Sequence, residues 1–187
     1  MRLRHIFTTT LLAISSVTGA NAQSWAGFYA GAYAASNDFS MEISPTVYGN
    51  TSISGGIFGG YNYQVSPNYI LGGEVYYDAT AGNTFPFLSA ELNGQYGIRG
   101  RAGYVMGNSL IYGAVGVDFG MFDVTGSPPG ASETVTGYSG ALGLEHMLSN
   151  QLSVRAEYSY TQYEEYFVFP GFTPTVKSIR LGMAYHF

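Results

Sequence analysis

Ile179-Arg180-Leu181-Gly182-Met183-Ala184-Tyr185-His186-Phe187 closes the chain, and its alternation decides the fold. Ile179, Leu181, Met183, Tyr185 and Phe187 fall on one face, while Arg180, Gly182, Ala184 and His186 fall on the other. Side chains of a strand point alternately to its two faces, so one greasy face and one small or charged face predict a β-strand. Residues 152–160 repeat the pattern, with Leu152, Val154, Ala156, Tyr158 and Tyr160 opposing Ser153, Arg155, Glu157 and Ser159. So do residues 95–104, where Tyr96, Ile98, Gly100, Ala102 and Tyr104 oppose Gln95, Gly97, Arg99, Arg101 and Gly103.

Softer alternation over 28–36, 52–65, 69–80, 110–122 and 136–148 brings the count of predicted strands to eight. Ser66-Pro67-Asn68, Gly107-Asn108-Ser109 and Ser149-Asn150-Gln151 have the chemistry of tight turns. The other connections, at 37–50, 81–91, 123–135 and 164–174, read as longer loops. The tight turns recur every ~41 residues, near the roughly 40–45 of a propeller blade. A blade needs four short strands, however, and each unit here offers two long ones. Eight antiparallel strands joined alternately by short turns and longer loops predict an all-β, up-and-down barrel.

Composition decides which face points inward. Of 187 residues only 10% are charged, against 46% hydrophobic, with 26 glycines and 17 tyrosines. A soluble domain carries about 25% charged residues. The small, sparsely charged face would clothe a water-exposed surface poorly, as a lipocalin-like barrel would require, but suits a narrow lumen. The greasy face then meets lipid, with Tyr, Phe and Trp gathering in belts near the strand ends. The segments also supply the roughly 9–11 residues that a spanning strand needs. Zero cysteine excludes disulfides and thiol chemistry, and a net charge of -5 argues against a nucleic-acid partner.

The first 22 residues differ from the rest. Arg2 and Arg4 precede a short apolar run, and Ala20 and Ala22 supply the small residues of a cleavage site, so residues 1–22 read as a signal peptide. Its loss would leave five basic side chains facing 12 acidic ones.

With Trp25-Ala26-Gly27-Phe28-Tyr29-Ala30-Gly31, Gly55-Gly56-Ile57-Phe58-Gly59-Gly60-Tyr61-Asn62-Tyr63 and the closing strand, the chain resembles the small outer-membrane β-barrel proteins of Gram-negative bacteria. That family includes the opacity-type porin-like proteins and the barrel of outer-membrane protein A. The resemblance implies an eight-stranded transmembrane barrel over 23–187, located in the outer membrane. It also implies that Leu181, Met183, Tyr185 and Phe187 form the assembly signal read by the barrel-insertion machinery. The implied partners are outer-membrane lipid, lipopolysaccharide and, during assembly, periplasmic chaperones; a host or surface ligand is left unidentified.

The alternation turns Glu74, Arg99, Arg101, Asp118, Glu145, Arg155, Glu157 and Arg180 inward. Buried charges are costly unless paired, so four acids and four bases imply a salt-bridged network that plugs the lumen in preference to lining a pore. No catalytic constellation, metal site or cofactor is expected. Ser149, three positions beyond His146, falls on the opposite face of a strand, unlike the His-x-Ser spacing of lipid A deacylases. His146 reads as an interfacial residue near a periplasmic turn, and His186 as a polar residue at the end of the lumen. Gly55-Gly56-Ile57-Phe58-Gly59-Gly60 is followed by no lysine and opens no helix, so it is not a phosphate loop. The loops carry Asp38, Glu42, Glu91, Asp123, Glu133, Glu164 and Glu165 and no Lys or Arg, which should repel anionic glycans. The functional expectation is a structural barrel that contributes to envelope integrity. The rivals are a surface adhesin, a narrow pore and a lipid-modifying enzyme.

Overall fold

A computed structural model describes residues 25–43, 46–85, 90–124, 131–164 and 175–187. The expected signal peptide, with Ala20 and Ala22, lies outside the described residues. The strands are β1 (Gly27–Ile43), β2 (Thr46–Ser66), β3 (Tyr69–Phe85), β4 (Ala90–Met106), β5 (Ser109–Val124), β6 (Ala131–Met147), β7 (Leu152–Tyr163) and β8 (Thr175–His186). Each pairs antiparallel with the next, and β1 pairs with β8, closing the barrel. Closure pairs each strand on both sides across the segments with apolar alternation, the condition a sheet must meet to cross lipid.

The three short turns fall where the sequence places them. Gly107, at φ 60°, supplies the left-handed residue between β4 and β5. At the β6–β7 turn the Ser149 hydroxyl accepts the Leu152 N–H at 3.1 Å. The connections expected at 37–50, 81–91 and 123–135 are instead largely strand. Pairing continues to Ile43↔Thr46, Phe85↔Ala90 and Val124↔Ala131. Apolar alternation marks only the part of a strand that meets lipid. Beyond it the ladder continues because its antiparallel partner is the next strand in sequence, and the alternation signal fades while the hydrogen bonds do not. In the connection expected at 164–174, only Glu164 is described.

The wall is apolar outward: Ile53, Val115, Leu142 and Leu181 are each more than 60% exposed. Aromatic pairs such as Phe28–Tyr61, Tyr69–Tyr104 and Tyr185–Phe187 sit towards the end that carries the short turns. The expectation that large aromatics face outward needs correction, however. Tyr29, Tyr33, Phe58, Tyr76, Tyr112 and Tyr163 are buried in the lumen. Trp25 is inside as well, packed edge-on to His186 at 5.6 Å rather than in an interface belt.

The glycines explain how rings fit into so narrow a space. Each of those six rings stands directly opposite a glycine of the neighbouring strand: Tyr29↔Gly60, Tyr33↔Gly56, Gly31↔Phe58, Tyr76↔Gly97, Tyr112↔Gly143 and Gly137↔Tyr163. A Cβ on any of those glycines would run into the ring it faces. Ring and glycine therefore interdigitate across the ladder, and the lumen packs as large against small.

Candidate functional site

The lumen is built in layers. Nearest the short turns lies an apolar floor of Trp25, Ile70, Val105, Leu110, Tyr112 and Met147. Asn62 fastens Trp25 there, donating from Nδ2 to the Trp25 carbonyl at 3.0 Å. Above the floor the alternation of β3, β4, β6, β7 and β8 delivers the charged side chains, and all four arginines beyond residue 22 are inside.

Glu74 and Glu157 are the two hubs. Glu74 accepts from Arg99 Nε at 2.8 Å and from Arg155 Nη1 at 2.7 Å, and Arg99 Nη2 also bonds it. Arg101 lies 3.5 Å away, and the Tyr29 hydroxyl donates at 2.9 Å. Glu157 accepts from Arg99 Nη1 at 2.8 Å and Nη2 at 3.0 Å, from the Tyr112 hydroxyl at 2.7 Å and from Arg180 at 3.3 Å. Arg99 of β4 thus spans the lumen, forked between a carboxylate on the neighbouring β3 and one on the distant β7. A planar guanidinium with donors in fixed directions suits that brace as a lysine ammonium would not. The arginine guanidinium carbons also lie over rings: Arg155 is 3.7 Å from the Phe58 centroid, Arg101 4.3 Å from Tyr112 and Arg180 4.7 Å from Tyr76. A buried cation gains more from a ring than an exposed one.

The eighth expected member, Asp118, is buried but sits apart. Its oxygens accept from Ser139 at 3.1 Å and Thr161 at 2.8 Å, and no arginine bridges it among the described residues. It lies one level beyond the arginines, opposite Gly97 and Gly137, so its height rather than its facing removes it from the ion pairs. His186 takes a place in the network beside Glu145, which it meets at 3.1 Å; Glu145 also holds Arg101 at 3.0 Å. Asp78, which accepts from the Tyr33 hydroxyl at 3.1 Å, also faces inward. Its position four residues after Glu74 carries that signal in the sequence.

Two Ser–His pairs lie within hydrogen-bond distance. Ser153 and Glu145 both meet the same His186 nitrogen, Nε2, at 3.1 Å, and the serine hydroxyl donates straight to Glu145 at 2.6 Å. A nucleophile needs its base oriented through the other ring nitrogen, so this is a buried hydrogen-bond cluster rather than a triad. Outside, His146 Nδ1 meets Ser109 Oγ at 2.9 Å, not Ser149, and no acidic partner orients it among the described residues. Among those residues, too, no group of three or more His, Cys, Asp or Glu could hold a metal ion.

The closing residues Leu181, Met183, Tyr185 and Phe187 all point outward. The Phe187 N–H donates to the Phe28 carbonyl at 3.0 Å, pinning the carboxyl end to the start of β1.

A family model described as outer membrane protein beta-barrel domain matches residues 7–187. A 22 kDa outer membrane protein of Rhizobium leguminosarum bv. viciae is 31% identical over 150 residues, which cover 76% of this chain and 66% of that protein, just under two thirds of its length. Among solved structures, Neisserial surface protein A superposes with a TM-score of 0.60 at 16% identity, covering 86% of this chain and 97% of that one. Ail, the attachment invasion locus protein of Yersinia pestis, gives 0.58 at 13%, covering 86% and 99%. These two likenesses show the fold.

Proposed function

This chain belongs to the outer-membrane β-barrel domain family and resides in the outer membrane, and from that premise we propose that it is a structural wall element, a filled barrel that contributes to envelope integrity without conducting or catalysing. The observation that carries this reading is the brace of Glu74, Arg99, Arg155, Glu157 and Arg180 across the lumen, which occupies the space a channel would need. The apolar floor around Trp25 closes the same lumen towards the periplasm, the side on which short turns lie in such barrels.

Adhesion is the second reading. The Yersinia neighbour has also been crystallised with the heparin analogue sucrose octasulfate, at 13% identity to this chain. Here residues 37–50, 81–91, 123–135 and 164–174 hold acids and no Lys or Arg, a charge pattern that disfavours a sulfated glycan. Assembly runs through the carboxyl end: the outward row Leu181, Met183, Tyr185 and Phe187 is the segment offered to the insertion machinery.

A deletion strain separates the readings. Increased sensitivity to detergent with unchanged binding to host matrix is the expected result. Unchanged barrier function with lost matrix binding would transfer the role to adhesion.

A further inference from the structure

Alternation leaves one pairing error open. A strand slipped by one residue turns its apolar face into the lumen, but a strand slipped by two, about 7 Å along its axis, keeps every side chain on its proper face. The apolar wall therefore does not distinguish the native register from its even-numbered neighbours.

Four rows across the lumen do. In each, a tyrosine of one strand lies over a glycine of the next and meets a carboxylate of the strand after that. The rows are Tyr29–Gly60–Glu74 and Tyr33–Gly56–Asp78 across β1 to β3, Tyr76–Gly97–Asp118 across β3 to β5, and Tyr112–Gly143–Glu157 across β5 to β7. The hydroxyls of Tyr29, Tyr33 and Tyr112 donate to their carboxylates at 2.9, 3.1 and 2.7 Å, and Tyr76 meets Asp118 over Gly97.

The first two rows give a purpose to the glycine run at 55–60. Tyr29 and Tyr33, Gly60 and Gly56, and Glu74 and Asp78 are each four positions apart, so the native register seats both rings at once. A slip of two would set Tyr29 against Phe58 or Asn62, Tyr33 against Ser54 or Phe58, Tyr76 against Gln95 or Arg99, and Tyr112 against Ala141 or Glu145. Every one of these carries the Cβ for which the native seat has no room. The hydroxyl would also leave its carboxylate, and a buried acid short of a donor is costly.

We infer that these rows are the register lock of the barrel: ring, seat and carboxylate together reject pairings slipped by two, which neither the wall nor the arginine brace does. An arginine has more side-chain torsions than a tyrosine with which to follow a displaced carboxylate, and Arg99 already reaches from β3 to β7. The rows share β3 and β5, so they link the pairings from β1 to β7 into one chain. At the seam, Phe58 takes the same part by lying over Gly31 against Ala184 of β8.

The chain has no cysteine, so pairs of introduced ones report register without ambiguity. On the outer wall Ala32 stands opposite Ile57, so A32C with I57C reports the native pairing of β1 and β2. A32C with G55C, or with G59C, reports the two slips, because neither pair is within disulfide reach in the native register. Each pair is oxidised in protein refolded into phosphatidylcholine vesicles and scored over all chains that float with the lipid. Otherwise unchanged protein should cross-link through the native pair alone. Y29A and Y33A together should raise the share of slipped cross-links about tenfold or more, since each ring that no longer collides removes about a factor of ten from the preference. R99A, which cuts the brace and leaves the β1–β2 rows whole, should keep the unslipped pattern. Cross-linking of Y29A/Y33A through the native pair alone would overturn the inference, as would slippage in R99A equal to that in Y29A/Y33A. If Y29A/Y33A does not enter the vesicles, S54G with F58G decides, because it opens a second pair of seats two positions away. That variant should cross-link through both A32C–I57C and A32C–G55C, and the native pair alone would overturn the inference.

Discussion

Glu74→Ala is expected to destabilise the folded barrel by about 3–5 kcal/mol, the cost of breaking a buried pair by removing one partner. Glu74 is in contact with Arg99, Arg101 and Arg155 at once, so its loss leaves three guanidinium groups crowded without their shared counter-charge. Arg180→Ala should cost less, because Glu157 retains Arg99 and Arg155 when Arg180 is gone. It still forfeits the stacking of Arg180 on Tyr33 and Tyr76. Lys177→Ala is the control: Lys177 lies three residues before Arg180 on β8, faces outward opposite Asp38 of β1, and should cost about 0–1 kcal/mol. Urea unfolding in lipid vesicles should therefore rank Glu74→Ala above Arg180→Ala above Lys177→Ala. Equal midpoints for the first and last would mean that the lumen is wet enough to screen its charges.

Gly31→Ala should be the most damaging small substitution at the seam between β1 and β8. The added methyl would collide with the Met183 carbonyl, lie 2.5 Å from the Phe58 ring and lie 2.9 Å from the Ala184 Cα. Two of those three atoms are backbone of β8 and cannot yield by a rotamer change. Overpacking a close-packed interior typically costs about 1–3 kcal/mol, and a contact with backbone belongs at the upper end. A closed ladder should resist detergent and migrate differently unless boiled, and the fraction of refolded protein that shows this shift should fall sharply. Gly100→Ala, where the methyl meets open space, should refold as wild type does. Equal refolding of the two variants would mean that β1 and β8 close less tightly than the register requires.

The architecture was legible because alternation is local. Residues 95–104, 152–160 and 179–187 announce both their strand character and their facing, and Pro67-Asn68, Gly107-Asn108 and Asn150 announce the turns. The inward facing of Tyr76 and Tyr112 follows from the parity of Glu74 and Asp118 on the same strands, but the room for such rings was not legible, because a lumen too narrow for an arbitrary tyrosine admits one opposite a glycine. Tyr112 and Gly143 are 31 positions apart in sequence, and only the β5–β6 register makes them neighbours. The same limit applies to Asp118: facing follows from parity along one strand, whereas whether an arginine reaches it depends on height relative to strands it does not adjoin. The strand extensions beyond residues 36, 80 and 122 were hidden for a different reason, since outside lipid nothing forces one face to be apolar.

The lumen is filled by the floor around Trp25 and by the arginine brace above it, and conductance in planar bilayers tests this without any substitution. The purified wild-type protein is expected to insert and leave the current at baseline, with at most rare, brief steps. Reproducible, long-lived openings in most insertions would contradict a filled lumen and give the barrel the role of a pore.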